Sequence, residues 1–430
     1  MKEVSIEMSG KNVTGNAGLV PVGKFAQKLG LMALFEKHIS ITRGANAMYS
    51  VADALCITLL SVVAGGSHLS HVSLLRKDGL LRTIFEWARF PVNTTLGRIF
   101  RLFSPKHCTE LAEVEQQARR PVWGRKWFQR LTLEFDSSVK GVFGHQAGAE
   151  KGFNPKKNGQ RSYHPLLCFV AETRECLHNW FRCGNAYSAN GSAEFMRECL
   201  ARLPKRFGRL FGRGDSAFFD GKLLDVLEEH HMLYAIKAAF KGMHSLLATQ
   251  SWQPLKNRPG WEACAFIYQC GGWSHARRFV AVRHPRETVV NLGLFTWTCV
   301  EYDYFCYVTT LDWQPWNIHR YYGQRGASEN WIQWCKGQMG AASMLTQDFW
   351  ANSALFQVCI LAYNLLVWLL WLTMRQKLRE EPDTVRGWLI RVPAKLVKHA
   401  GQLVLKVSAA GHTSQRWQAL EDGLADMSLA

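Results

Sequence analysis

Leu131-Thr132-Leu133-Glu134-Phe135-Asp136-Ser137-Ser138-Val139 is the stretch that decides the fold. Leu131, Leu133 and Phe135 alternate with Thr132, Glu134 and Asp136, a period of two that predicts a strand with one apolar face and one face ending in carboxylates. A polar, Gly-rich, basic connection follows through His145, Lys151, Lys156, Lys157 and Arg161. Strand-like runs come next at Leu166 to Ala171 and Leu177 to Phe181. The pattern then alternates: helix from Ser192 to Leu203, strand from Arg209 to Asp215, helix from Asp220 to His230, strand from Met232 to Ile236. Three early strands followed by alternating helix and strand predict a mixed α/β sheet.

That order is the one expected of a ribonuclease-H-like sheet. Around it the chain changes character. Residues 19 to about 104 read as helical, with apolar positions at helical spacing from Val51 to Leu60 and a break at Gly65-Gly66. A short helix is expected from Thr94 to Phe103, with Asn93 as its N-cap and Arg98 and Arg101 projecting. Such a helix fits a DNA groove and equally an ordinary small bundle. Residues 245 to 310 are rich in Trp, Thr, Val and Gly, with strand-like runs at Arg278 to Val282, Leu292 to Thr298 and Tyr304 to Thr310; they predict a β-rich insertion. Helical pattern returns from Ile318, and from Pro382 the chain is basic and expected to be helical, carrying Arg386, Arg391, Lys395, Lys398 and Lys406. The expected division is a helical N-terminal DNA-binding domain at 1–125, a catalytic core at 126–244 resumed at 313–378, the insertion at 245–312, and a basic helical C-terminal region at 379–430.

The chemistry concentrates in a few residues. Tyr322, Arg325, Glu329 and Lys336 follow the spacing Y-x2-R-x3-E-x6-K. On one continuous helix they fall within roughly 60° of each other, so one face presents a ring, a guanidinium, a carboxylate and an ammonium. A solvated helix face also carries i,i+4 pairs, and Arg325–Glu329 is one. Asp136 and Asp215 each close a predicted strand and precede a serine. Two strand-end carboxylates and one helix carboxylate can converge at a sheet edge, an arrangement that needs cations to offset its charge. Oxygen-only ligands select Mg2+ or Mn2+ over zinc, and two such ions about 4 Å apart suit phosphodiester chemistry. Glu134 and Asp220 compete with the two aspartates, though Asp220 reads as a helix cap.

Composition agrees with a polyanionic partner. The chain of 430 residues has 52 Lys+Arg against 34 Asp+Glu, a formal charge of +18, and its 47% hydrophobic content excludes overall disorder. Arg202, Lys205, Arg206 and Arg209 form a second basic cluster beside that of Lys151 to Arg161. The 12 cysteines form no CxxC pair, which supports neither a zinc ribbon nor a redox motif and fits a reduced, cytoplasmic setting. Phe349 to Met374 holds no charged residue and is long enough to span a membrane, with Arg375, Lys377 and Arg379 as a possible flank. Asn352, Gln357 and Asn364 favour instead the central helix of a soluble core.

With these pieces in view, the sequence resembles bacterial insertion-sequence transposases of the DDE type, in the branch marked by the Y-R-E-K signature and a β-rich insertion before the catalytic Glu. The resemblance covers about Leu131 to Met374. It is carried by Phe135-Asp136-Ser137-Ser138, Gly144-His145-Gln146, Gly152-Phe153-Asn154-Pro155-Lys156-Lys157, Gly214-Asp215-Ser216 and the complete Tyr322/Arg325/Glu329/Lys336 set. It implies a ribonuclease-H-like fold and cleavage of element ends followed by joining to target DNA. Asp136, Asp215 and Glu329 would then be catalytic and hold the Mg2+ or Mn2+ ions, while Tyr322, Arg325 and Lys336 would hold DNA phosphates near the cut. Relatives can cut the opposite strand through a hairpin, with a Trp of the insertion supporting an extruded base; Trp252, Trp261 and Trp273 are the candidates here, with core packing as the alternative role. Lys151, Lys156, Lys157, Arg161 and Arg98 are expected backbone contacts. The implied partners are double-stranded DNA, as terminal inverted repeats and target, and a second copy of the chain on DNA, without a membrane; the implied place is the bacterial cytoplasm, at the nucleoid. Two other readings keep the same residues: a ribonuclease-H-like nuclease without strand transfer, and a non-catalytic DNA-binding derivative.

Overall fold

The computed structural model describes residues 10–427 apart from 88, 125, 153, 155–158, 188, 293–294 and 375–379, with side chains of 288–299 also left undescribed. Its centre is a sheet of nine strands among the described residues. Five of them form the predicted core: β1 (Arg130–Ser137), β2 (Leu166–Val170), β3 (Cys176–Trp180), β4 (Arg209–Gly214) and β5 (Leu233–Lys237). Their order is β3-β2-β1-β4-β5, with β1, β4 and β5 parallel and β2 antiparallel to both its neighbours. This is the ribonuclease-H-like arrangement expected from the element order. The intervening helices α6 (Ser192–Ala201) and α7 (Gly221–Glu229) lie where helical spacing places them, and the Asp220 side chain caps α7 by accepting from Leu223 N at 3.0 Å.

Both faces of β1 are buried, in place of the one expected: Thr132 and Glu134 are as enclosed as Leu131 and Leu133. A buried carboxylate needs a partner. Glu134 has it in Arg213, its register neighbour on the parallel strand β4.

The β-rich insertion is fused to this sheet. Strands β6 (Glu262–Tyr268), β7 (Arg277–Leu292) and β8 (Phe295–Thr309) form a meander, and the end of β8 pairs with β5 through Tyr307↔Lys237 to Thr309↔Ala235. The runs expected at Arg278 to Val282 and Tyr304 to Thr310 fall on longer strands, while the run expected at Leu292 to Thr298 spans the end of β7 and the start of β8, with 293–294 outside the described residues. The apolar pattern lapses around Arg283 to Glu287 because the β7–β8 arm there is held by ion pairs, Arg286 to Glu301 at 3.2 Å and to Asp303 at 3.3 Å, instead of by a core.

The N-terminal region is helical as expected, through α1 (Leu19–Lys28), α2 (Leu31–His38), α3 (Val51–Val63), α4 (Asn93–Phe100) and α5 (Pro105–Trp123). Asn93 is the first residue of α4; the cap position falls on Val92, whose extended backbone follows Pro91, and no side chain caps it. After α8 (Pro315–Gly323) and α9 (Gly326–Gln333), the uncharged segment forms α10 (Phe349–Met374). This helix is long and apolar enough to cross a membrane, yet 89% of its most apolar window is buried in the protein itself, against α1, α3, α4, α5 and the C-terminal helix. Its polar residues serve that packing. Asn364 pairs with both backbone groups of Cys176 on β3 (2.8 and 2.7 Å) and with Glu115 of α5 (2.6 Å), and Asn352 donates to the Tyr163 hydroxyl at 3.1 Å. The proposed flank residues Arg375, Lys377 and Arg379 lie outside the described residues.

The C-terminal region departs from the all-helical expectation. It has a short helix at Pro382–Val385 and α11 (Gly411–Ala425), but between them β9 (Ala394–His399) and β10 (Gln402–Val407) form a hairpin that also pairs with Val13–Thr14. Ala400 and Gly401 both have positive φ (47° and 82°), the condition for a two-residue hairpin turn. One contiguous apolar core runs from the N-terminal helices through the sheet and α10 to Leu424.

Candidate active site

The parallel register sets the site. Phe135 of β1 is paired with Gly214 of β4, so Asp136 and Asp215 leave the same edge of the sheet side by side. Glycine is required at 214, because a Cβ there would sit 2.4 Å from the Phe135 ring. Each aspartate is oriented by backbone: Asp136 accepts from Ser137 N at 2.8 Å, and Asp215 accepts from Ala217 N at 3.0 Å.

The third carboxylate comes from α9, and the link among all three is Arg325. Its guanidinium lies 2.7 Å from Asp136, 3.3 Å from Glu329 and 3.9 Å from Asp215. Asp136, Asp215, Glu329 and Arg325 are therefore brought together. The single helix expected for Tyr322 to Lys336 is not: a turn at Gln324-Arg325 divides α8 from α9, and Lys336 lies in a wider π-type turn at Trp334–Gln338. The break is held from below. Arg213 pairs with Glu134 and donates to Tyr321 O (2.7 Å) and to Gln324 Oε1 (3.1 Å), tying the end of α8 to the sheet. Glu134, read as a rival for Asp136, is thus a positioning group, and Arg213 is one that spacing alone did not single out.

Lys336 donates to Val139 O at 2.8 Å, bracing the chain just after β1. Tyr322 packs on Tyr307 at 4.7 Å, and burial pushes its hydroxyl up to about 12 despite the nearby Arg325. Lys140 was not foreseen. It is buried against Phe181 and Phe356, its Nζ has no hydrogen-bond partner among the described residues, and burial pushes it down to about 7. Nothing in the run Val139-Lys140-Gly141 signals that placement.

The remaining expected DNA contacts are scattered. Lys151 and Arg161 are exposed on a small three-stranded sheet beside the core, Arg98 is exposed in the last turn of α4, and Lys156 and Lys157 lie outside the described residues. His145 is exposed. Trp252 donates to Leu247 O and lies under Arg283 at 4.3 Å, Trp261 packs against His284 and Trp316, and Trp273 against Phe219 and Arg277; all three are half-buried and serve packing.

The electrostatics suit a divalent cation. Burial, then Asp215 and Glu329, hold the Asp136 carboxyl up at about 7 against the pull of Arg325. Three carboxylates facing one guanidinium leave an excess of two negative charges, and every donor is oxygen, so the residues fit Mg2+ or Mn2+. The three site carboxylates are linked through Arg325 and are less closely grouped, whereas among the described residues three ligand atoms lie within 4.8 Å of one another only at Asp225, Glu228 and His275. There Arg277 already bridges Asp225 and Glu228, and Glu228 also accepts from Tyr234, which joins α7 to the insertion.

Likenesses of the chain to known proteins are few. No curated protein matches it. Among solved structures it is similar to the piggyBac transposase synaptic complex with hairpin DNA, at 13% identity and a TM-score of 0.45, over 86% of this chain and 78% of that one. It is also similar to the Mos1 transposase paired-end complex with left transposon end, at 8% identity and a TM-score of 0.18, over 45% and 60%. At these scores neither likeness carries weight for function. The family model described as "Transposase DDE domain group 1" does, because it matches residues 1–428. The chain belongs to this family of DDE transposases, enzymes of metal-dependent DNA cleavage and strand transfer.

Proposed function

We propose that Asp136, Asp215 and Glu329 are the catalytic carboxylates, that they hold two divalent ions (Mg2+ or Mn2+), and that the site cuts element ends and joins them to target DNA. The observation that carries this reading is the convergence of all three on one guanidinium at the sheet edge. Bound there, the ions would activate the attacking oxygen and stabilise the leaving one in each phosphodiester exchange.

The chain's own groups divide the remaining work. Asp136 and Asp215 are fixed by their strand ends, whereas the Glu329 side chain is 63% exposed and free to adjust. Arg325 offsets part of the carboxylate charge in the DNA-free protein; once cations offset it, the planar fork of Arg325 is available for a scissile-strand phosphate. Tyr322 and Lys336 flank it as further phosphate contacts. Lys151, Arg161 and Arg98, with Lys156 and Lys157 from the same stretch as Lys151, hold the DNA backbone without reading sequence. Residues 1–125 act as the DNA-binding helical domain, 126–244 and 313–378 as the catalytic core, 245–312 as the insertion that backs the site, and 379–430 as a basic flank. Two ends have to be joined in one event, so the working form is a homodimer on DNA, in the cytoplasm at the nucleoid.

The test is a pre-cut, end-labelled element duplex incubated with a supercoiled target and Mg2+. Covalently joined product supports the proposal. Nicking without joining would favour a nuclease, and DNA binding with neither would favour a non-catalytic derivative.

A further inference from the structure

At the opposite edge of the sheet from the carboxylates, the starts of β1 and β4 lie side by side: Arg130 is paired with Arg209, and Gly208 N donates to Phe128 O at 2.8 Å. Between the last turn of α5 and the loop leaving α6 opens a cleft of about 800 Å³. Its rim carries Arg120, Lys126, Arg202, Lys205 and Arg206, and among the described residues no acidic one lines it. Trp127 stands in this rim with 65% of its surface exposed. The floor is rigid. Arg119 is enclosed by Glu115 (2.8 Å) and Glu175 (3.0 Å), and Gln116 donates to Arg202 O at 3.0 Å, clamping helix to loop. Arg202 faces Glu198 at 3.9 Å, but Lys205 and Arg206 are exposed and form no ion pair among the described residues.

We propose that this cleft is a second docking site for DNA, gripping the phosphate backbone of duplex that lies outside the reacting segment, with Trp127 covering the sugars between phosphates. Exposed cations such as Lys205 and Arg206 near an exposed aromatic ring are what a phosphate backbone requires, since charge supplies affinity and the ring supplies contact independent of sequence. The position decides which DNA. Six residues of strand separate Arg130 from Asp136, about 20 Å at ~3.3 Å per residue. DNA advances about 3.4 Å per base pair, so the base pairs being cut do not reach the cleft. It is reached by the same duplex roughly six base pairs or more along its axis. The proposal rests on the carboxylate site taking DNA, but its test needs no cutting.

Full-length Glu329→Gln protein, with and without Lys205→Gln/Arg206→Gln, is titrated by fluorescence anisotropy into two labelled element-end duplexes. One extends about 5 base pairs on each side of the cut and the other about 20, that is, half a turn and two turns. Expected is a loss of about tenfold or more on the long duplex, with the log K against log salt slope falling by about two, and no change on the short one. Lys205→Arg/Arg206→Lys restores the long-duplex affinity, which separates lost charge from lost folding. Equal long-duplex affinity and slope in the two proteins overturns the proposal, as does an equal loss on both duplexes, or a changed mass of the DNA-free protein, which would make the cleft a protein interface. If neither protein binds either duplex, the reading of the carboxylate site fails instead.

Discussion

Asp136→Asn separates a carboxylate kept for chemistry from one kept for stability. In the folded protein its carboxyl is held at about 7 instead of 3.8, first by burial and then by Asp215 and Glu329. At about 1.36 kcal/mol per tenfold, that rise makes the ionised form unfavourable by at most about 4 kcal/mol above pH 7. Arg325 loses its 2.7 Å partner in the variant, and the side chain keeps 14% of its exposure, so the net gain on neutralising it is about 1–2 kcal/mol. The folded value lies above the unfolded one, so the penalty is absent below about pH 4, grows between pH 4 and 7, and is complete above pH 7. The assay is the melting temperature of metal-free, DNA-free protein at pH 8 and pH 4.5. Asp136→Asn is expected to melt about 1–2 °C higher at pH 8, with the gap closing at pH 4.5. Mg2+ is expected to raise the wild type and leave the variant unmoved. A variant that melts lower at pH 8, as loss of a structural Arg–Asp pair demands, would refute the reasoning.

Further predictions concern the groups around that site and beneath it. Arg325→Gln removes the cation lying among the carboxylates, so Mn2+ affinity of the DNA-free protein, read by calorimetry, is expected to rise by at least about tenfold while cleavage falls; unchanged or weaker Mn2+ binding contradicts this. Glu175 is fully buried and accepts from Arg119, Trp123, Thr173 and Trp368, joining α5, α10 and the β2–β3 turn; Glu175→Ala is expected to cost about 3–5 kcal/mol in urea unfolding, and a cost under about 1 kcal/mol would count against the network. Burial pushes His178 down to about 4 despite its bond to Glu198, so its contribution is complete above pH 6.5 and lost as pH falls from 6.5 to 4. His178→Asn is expected to flatten the fall in unfolding free energy over that window by up to about 3 kcal/mol, and an unchanged pH profile would contradict the assignment.

The strands of the core were legible because each has a period of two or a short apolar run bounded by turn residues, and Asp136 and Asp215 were legible as strand-end carboxylates. Glu329 was found by spacing to Arg325, a relation that survives even though the helix does not run through. Gly323 and Gly326 bracket the break, and their low helix propensity is the local signal that a single-helix reading passes over. No spacing reveals that Arg325 points at two strand ends distant in sequence; that depends on the Glu134–Arg213 pair fixing α8 to the sheet. The β7–β8 arm and the C-terminal hairpin were obscured for a different reason. Their strands mix charged and β-branched residues with little core to enforce alternation, and Ala400-Gly401 is a weaker turn signal than Asn-Gly.

The most direct test of the central claim is cleavage and joining of a labelled DNA carrying the element's own ends, in Mg2+, by wild type and by Glu329→Gln. The account predicts metal-dependent cutting and joining that vanish together in the variant while DNA binding persists. Full activity in Glu329→Gln would contradict it and place the active site elsewhere.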